Sequence, residues 1–120
     1  MLIKKLLKNL QDKYILSEGE DIKLPEFKRS DVVRKNIIFS GKVQKVGFRY
    51  EVYLISTKLK LTGWVKNRDD GKVEAEIQGE MDKIEFLKTY MCSLKRIKLT
   101  YIKEVDIPVK DEEKEFIAVY

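Results

Sequence analysis

Nine residues, GKVQKVGFR from Gly41 to Arg49, put two glycines and three cations, with no acid, where a strand gives way to a helix. A glycine-bearing loop that feeds a helix N-terminus gathers unpaired backbone N–H groups into one concavity, which suits a phosphate with several oxygens to satisfy. Arg49 adds a planar fork able to grip two of those oxygens. Exposed cations at the positive end of a helix dipole are disfavoured by roughly 0.3–1 kcal/mol each, so an anion there would relieve a standing repulsion. From Val32 to Tyr50 the chain carries Arg34, Lys35, Lys42, Lys45 and Arg49 and no carboxylate, and that segment is expected to draw anions toward the loop. It is not a Walker loop, since five residues separate Gly41 from Gly47 and no Lys-Ser/Thr follows. On charge pattern alone, a solvated basic loop whose arginine pairs with a structural carboxylate remains open.

The rest of the composition narrows the chemistry. With no histidine and a single cysteine, Cys92, there is no Ser-His or Cys-His nucleophile pair, no histidine general base and no disulfide or Cys/His zinc site. Cys92 reads as a small buried residue of a helix, and Tyr53 and Trp64 as packing residues. The chain has 120 residues, enough for one modest domain, and its balance of 25 Lys+Arg against 20 Asp+Glu is too mild and mixed to name nucleic acid as the partner. A reduced, cytoplasmic setting is the default expectation. The opening MLIKKLLKNL is broken by lysines and is too short to span a bilayer.

The elements that must position the loop follow from hydrophobic spacing. Leu2, Ile3, Leu6, Leu7, Leu10 and Tyr14 predict an amphipathic helix over 1–16, fit for self-association or partner contact, and the polar stretch to residue 32 reads as a linker with room for a short hairpin around Ser17 to Glu20. The expected division is therefore an extension over 1–32 and a domain over 33–120. Val33 to Ser40 reads as a buried strand. Phe48, Val52, Ile55 and Leu59 predict a helix from about Arg49 to Lys60. Strands Leu61–Asn67 and Lys72–Gln78 flank Arg68-Asp69-Asp70-Gly71, whose Asp-Gly pair supplies the positive φ of a tight hairpin. Met81, Ile84, Leu87, Met91 and Leu94 mark a second helix, with Asp82 and Glu85 near its positive end. Ile97, Leu99 and Tyr101 alternate in another strand, and Glu115–Tyr120 form a short last one. Interleaved in this order, the elements predict an α+β ferredoxin-like βαββαβ sandwich, a mixed and largely antiparallel sheet with both helices on one face. A helix crossing between the first two strands makes them parallel, which brings Gly41–Arg49 and Asn67 to one edge.

On these residues the chain resembles the acylphosphatase family. GKVQKVGFR is similar to the signature G-x-V-Q-G-V-x-F-R, and GWVKNRDDGKVEAEIQG, Gly63 to Gly79, is similar to the second, G-x-V-x-N followed by a D/N-G hairpin and a V-E strand. The resemblance runs from about Val33 to Tyr120. It implies metal-independent, cofactor-free hydrolysis of small acyl phosphates to carboxylate and phosphate, with free phosphate or sulfate as competing anions. By resemblance, the phosphoryl group would be held by Arg49 and by the N–H groups of Gln44, Lys45, Val46, Gly47, Phe48 and Arg49. Asn67 would orient water, and the carboxylate of Tyr120 would pair with Arg49. Lys45 departs from the pattern, standing where the family has its middle glycine. If that position needs φ > 0, lysine costs on the order of 1–2 kcal/mol or tilts the loop. The alternative reading is accordingly a catalytically weak or inactive anion-binding module on the same fold. RNA binding is disfavoured, because VGFRY falls in a loop and KVEAEIQ offers no aromatic stacking platform.

Overall fold

The computed structural model describes residues 24–120. The amphipathic segment over 1–16 and the hairpin around Ser17 to Glu20 lie outside the described residues. Five strands and two helices follow: β1 (Val32–Lys42), α1 (Phe48–Lys58), β2 (Thr62–Asn67), β3 (Val73–Glu80), α2 (Met81–Ser93), β4 (Lys98–Ile107) and β5 (Phe116–Val119). The sheet order is β4-β1-β3-β2-β5. β3 runs antiparallel to both β1 and β2, so β1 and β2 point the same way and end at the same edge. β5 joins β2 in parallel, completing the mixed ferredoxin-like sheet.

Alternation along the strands decides which face each helix covers. Ile37 and Phe39 of β1, Val65 of β2, and Val73, Ala75 and Ile77 of β3 are fully buried. They meet Phe48, Val52 and Ile55 of α1 and Ile84, Leu87 and Met91 of α2 in one core. Each such side chain contributes about 1.5–3 kcal/mol by leaving water. The ring of Phe48 packs on that of Phe39 with centroids 4.9 Å apart, which ties the first turn of α1 to the strand that delivers the loop. No helix among the described residues is long and apolar enough to cross a membrane.

The described part of the expected linker packs on the domain. Phe27 lies edge-to-face on Phe86 of α2 at 5.6 Å, and Leu24 also rests against the core. Ser30 Oγ accepts the Asp82 N–H at 3.3 Å and the Asp31 carbonyl accepts the Met81 N–H at 2.9 Å, so this segment caps α2 from outside. Polarity alone concealed two apolar anchors in an otherwise charged stretch.

The solvent-side face of the sheet holds a buried arginine. Arg34 is 1% exposed and donates to Glu76 at 2.9 Å, to Gln78 at 3.3 Å and to both carboxylate oxygens of Glu113, at 2.7 and 3.1 Å. Gln78 in turn exchanges hydrogen bonds with the Lys110 backbone. These contacts fasten the connection between β4 and β5, which crosses from one edge of the sheet to the other. Glu115 then accepts the Gly63 N–H at 3.0 Å, where β5 begins. Arg34 was expected to belong to the anion-attracting field; it is instead neutralised by two carboxylates. Lys35 likewise faces Glu104 and Asp106, which leaves Lys42, Lys45 and Arg49 of that segment's five cations near the loop.

Burial alone pushes the Glu113 carboxyl up, but the hydrogen bonds and charge of Arg34, aided by Thr62 and Lys110, outweigh it and hold the group below its ordinary value of 4.5. The stability contributed by that depression is fully present above the unfolded value and fades as pH falls through the folded one. Arg34→Met is expected to lower stability by on the order of 2 kcal/mol near neutrality, because it leaves two half-buried carboxylates without their cation. In urea titrations its deficit against the wild type should shrink as pH drops below the ordinary glutamate range; a deficit independent of pH would deny Glu113 this role.

Candidate active site

β1 ends in a bulge, with its register to β4 shifting between Ser40 and Gly41. Gly41 has φ 119°, and a Cβ there would stand 2.1 Å from the Lys98 carbonyl oxygen, so only glycine permits this close approach. The chain then turns through Lys45, φ 62°, and Gly47, φ 78°, before entering α1. Gly47 is the N-cap and supplies no side chain to satisfy the first turn. Among the described residues, no acceptor meets the N–H groups from Gln44 to Arg49.

The loop lines a cavity of about 260 Å³ whose walls are Val43, Lys45, Gly47, Phe48, Arg49, Tyr50, Asn67 and Tyr120. Six of the sequence candidates therefore meet in one place. Asn67 arrives from the end of β2, and its carboxamide has no partner among the described residues. The hairpin beside it closes without it, through Arg68 N–H to the Lys72 carbonyl at 2.8 Å, Gly71 N–H to the Arg68 carbonyl at 3.3 Å, and Lys72 N–H to Asp70 Oδ1 at 3.1 Å. That last bond, with Arg68 beside it, holds the Asp70 carboxyl below its usual range. A turn-capping role for Asn67 is thereby removed.

Two candidates sit outside the cavity wall and act on its frame. The Gln44 amide donates to the Arg68 and Lys72 carbonyls at 2.7 and 2.9 Å, tethering the hairpin, and with it Asn67, to the loop. The Val46 carbonyl accepts from Arg96 Nε at 2.8 Å, while Arg96 Nη2 reaches Glu51 at 2.7 Å. A planar peptide sets the Gly47 N–H opposite the Val46 carbonyl, so Arg96 fixes the direction of one loop donor from behind. Sequence reasoning passed over both Arg96 and the cavity residue Tyr50. Arg96 is 50 residues from Val46 and no local pattern links them. Tyr50 was visible only as the residue after Arg49 on a helix whose exposed face faces the loop.

Arg49 differs in one respect from what the resemblance implies. Its Nη1 donates to the Val119 carbonyl at 3.2 Å, and its Cζ lies 3.9 Å above the Tyr120 ring. The contact is with a carbonyl dipole and a ring face, because β5 keeps register with β2 only through Val119 and delivers that carbonyl to the arginine. Neither partner neutralises the guanidinium. Cys92 lies outside this site, and burial pushes its thiol up to about 12 against a smaller opposing pull from Lys88, which makes it a poor nucleophile.

The acylphosphatase family model matches residues 35–118. The chain belongs to the acylphosphatase family. It is 41% identical over 88 residues to an acylphosphatase of Geobacillus kaustophilus, an alignment covering 72% of this chain and 94% of that relative. With an acylphosphatase of Clostridium beijerinckii it shares 40% over 90 residues, covering 74% of this chain and all of that one. The crystal structure of acylphosphatase from Bacillus subtilis superposes with a TM-score of 0.68 at 36% identity, over 73% of this chain and 99% of that chain.

Within that family pattern, Lys45 adopts the left-handed conformation expected of the glycine it replaces. Of the two expected outcomes, strain is the one observed at this residue: a lysine at positive φ costs about 1–2 kcal/mol. Lys45→Gly is expected to stabilise the fold by roughly 0.5–1 kcal/mol in urea titration, the relieved strain being partly offset by the freer unfolded chain. Arg96→Ala should weaken inorganic phosphate binding roughly tenfold by calorimetry, since it frees the Val46 peptide to rotate. Unchanged phosphate affinity would show that the loop needs no brace.

Proposed function

We propose that this chain hydrolyses acyl phosphates at the 260 Å³ cavity, with the loop N–H groups and Arg49 holding the phosphoryl group and Asn67 directing water. The observation that carries the reading is convergence. Loop donors without acceptors, an arginine with only neutral partners and a carboxamide without a partner are gathered around one cavity large enough for a phosphoryl group.

The chemistry asks for little more. Water oxygen bonds to phosphorus as the bond from phosphorus to the acyl oxygen breaks, and the electron pair leaves with a carboxylate. The water protons pass to solvent and the product phosphate. A carboxylic acid of pKa near ~4 is stable as its anion at neutral pH, so the leaving group needs no proton donor. What remains is alignment, and stabilisation of charge on the equatorial oxygens. Fixed amide dipoles and one guanidinium supply the second without reorganising. The Asn67 carbonyl oxygen can accept a hydrogen from water and aim its lone pair, which supplies the first. Lys45, exposed on the cavity wall, adds positive potential.

Acetyl phosphate turnover by the purified full chain is the direct test. Arg49→Ala is expected to abolish both activity and protection by inorganic phosphate. Asn67→Ala should lose about 10²–10³ in kcat while keeping phosphate affinity, because it removes a group used in reaching the transition state. Wild type and both variants behaving alike would remove the assignment.

A further inference from the structure

Beside the phosphoryl cavity lies a larger groove, about 720 Å³, between α1 and β5. Its walls include Tyr50, Tyr53, Thr57, Phe116, Ala118 and Tyr120. Tyr50 and Tyr120, 55% and 86% exposed, also line the smaller cavity, so the two spaces adjoin at these aromatic side chains. An acyl group bonded to a phosphoryl group in the smaller space would have the groove beside it.

One small side chain, Ala118, stands on the β5 wall of the groove. Inward positions alternate along β5, and after the buried Phe116 the next is Ala118, which leaves a hollow facing α1. The lining is mixed, with more apolar than polar surface, and includes Thr62 and Glu115 beside the aromatic and aliphatic side chains. Thr57 turns its hydroxyl back to the Tyr53 carbonyl at 2.8 Å, so that polar atom is already bonded to the helix, and Tyr53 packs against the core. From Tyr50 to Thr57 the helix rises about 10 Å, far more than a two-carbon acyl group needs. Lys60 and Lys114 also line this space, and long lysine stems of this kind can cover apolar surface while their ammonium groups stay in water.

We propose that this groove is the acyl subsite, and that it selects acyl phosphates with a linear apolar chain of medium length. The inference rests on the reading of the phosphoryl cavity given above. An acyl chain lying in the groove would be bound equally in ground and transition states, so chain length acts on KM and leaves kcat nearly constant.

The test is a series of acetyl, butanoyl, hexanoyl and octanoyl phosphates with the full chain, kept below micelle-forming concentrations. KM is expected to fall roughly two- to fourfold for each added methylene, then level off once the chain outgrows the groove. Thr57→Phe and Ala118→Leu, which fill the groove from opposite walls, should flatten the series while leaving acetyl phosphate turnover close to wild type. Methylphosphonate and octylphosphonate, which are not hydrolysed, report binding separately. Tighter inhibition by the longer one, lost in Thr57→Phe, supports the subsite. Acetyl phosphate turned over with no dependence of KM on chain length would overturn the subsite and leave the phosphoryl site standing. No turnover of any member would remove the phosphoryl-site reading and this inference with it.

Discussion

A helix that starts without a cap is the constraint around which the domain is arranged. The N–H groups from Gln44 to Arg49 have no acceptor among the described residues, and Gly47 brings no side chain to supply one. In a water-excluded place such donors would be costly; at the mouth of a cavity they are free to meet an anion. The buried contact of Phe48 with Phe39 holds that helix start against the sheet, so the donors remain aimed even though nothing in the protein rewards them directly.

Arg49 shows how a charge is kept available. A carboxylate beside it would give the guanidinium a strong partner that any substrate must displace. The Val119 carbonyl and Tyr120 ring orient it while leaving its charge uncompensated. Three acids close by are engaged elsewhere: Glu51 by Arg96, and Glu74 and Asp70 by Arg68. The surroundings therefore remove negative charge from the loop as much as they add positive charge to it.

What could be read from the sequence was local. Hydrophobic spacing located α1 within a residue of its start, the Asp70-Gly71 pair located the hairpin, and a crossing helix sufficed to set β1 and β2 parallel and bring Asn67 to the loop. The similarity of Gly41–Arg49 and Gly63–Gly79 to two signatures identified the family. The frame around these parts was not legible. Arg34 meets Glu113 across 79 residues and Gln44 meets Lys72 across 28, and side chains so separated carry no shared period or spacing. Arg34 was misread for the same reason: charge counted along a chain says nothing of which face of a sheet it occupies, and strand alternation placed it opposite Glu76 and Gln78. The conformation of Lys45 was likewise beyond composition, since only its place in a signature hinted at positive φ.

The contact between Arg49 and Val119 spans 70 residues, and the strand that provides it is four residues long. Contacts of such long range are slow to gain during folding, because the chain between them must be ordered first. A polypeptide that has formed β1, α1 and the hairpin but not yet laid β5 along β2 would possess the loop with its unpaired donors, a loosely oriented arginine and an open flank. On the proposed role of Arg49, competence for turnover requires β5 to be in place along β2, so catalytic activity would report that this edge of the sheet has closed.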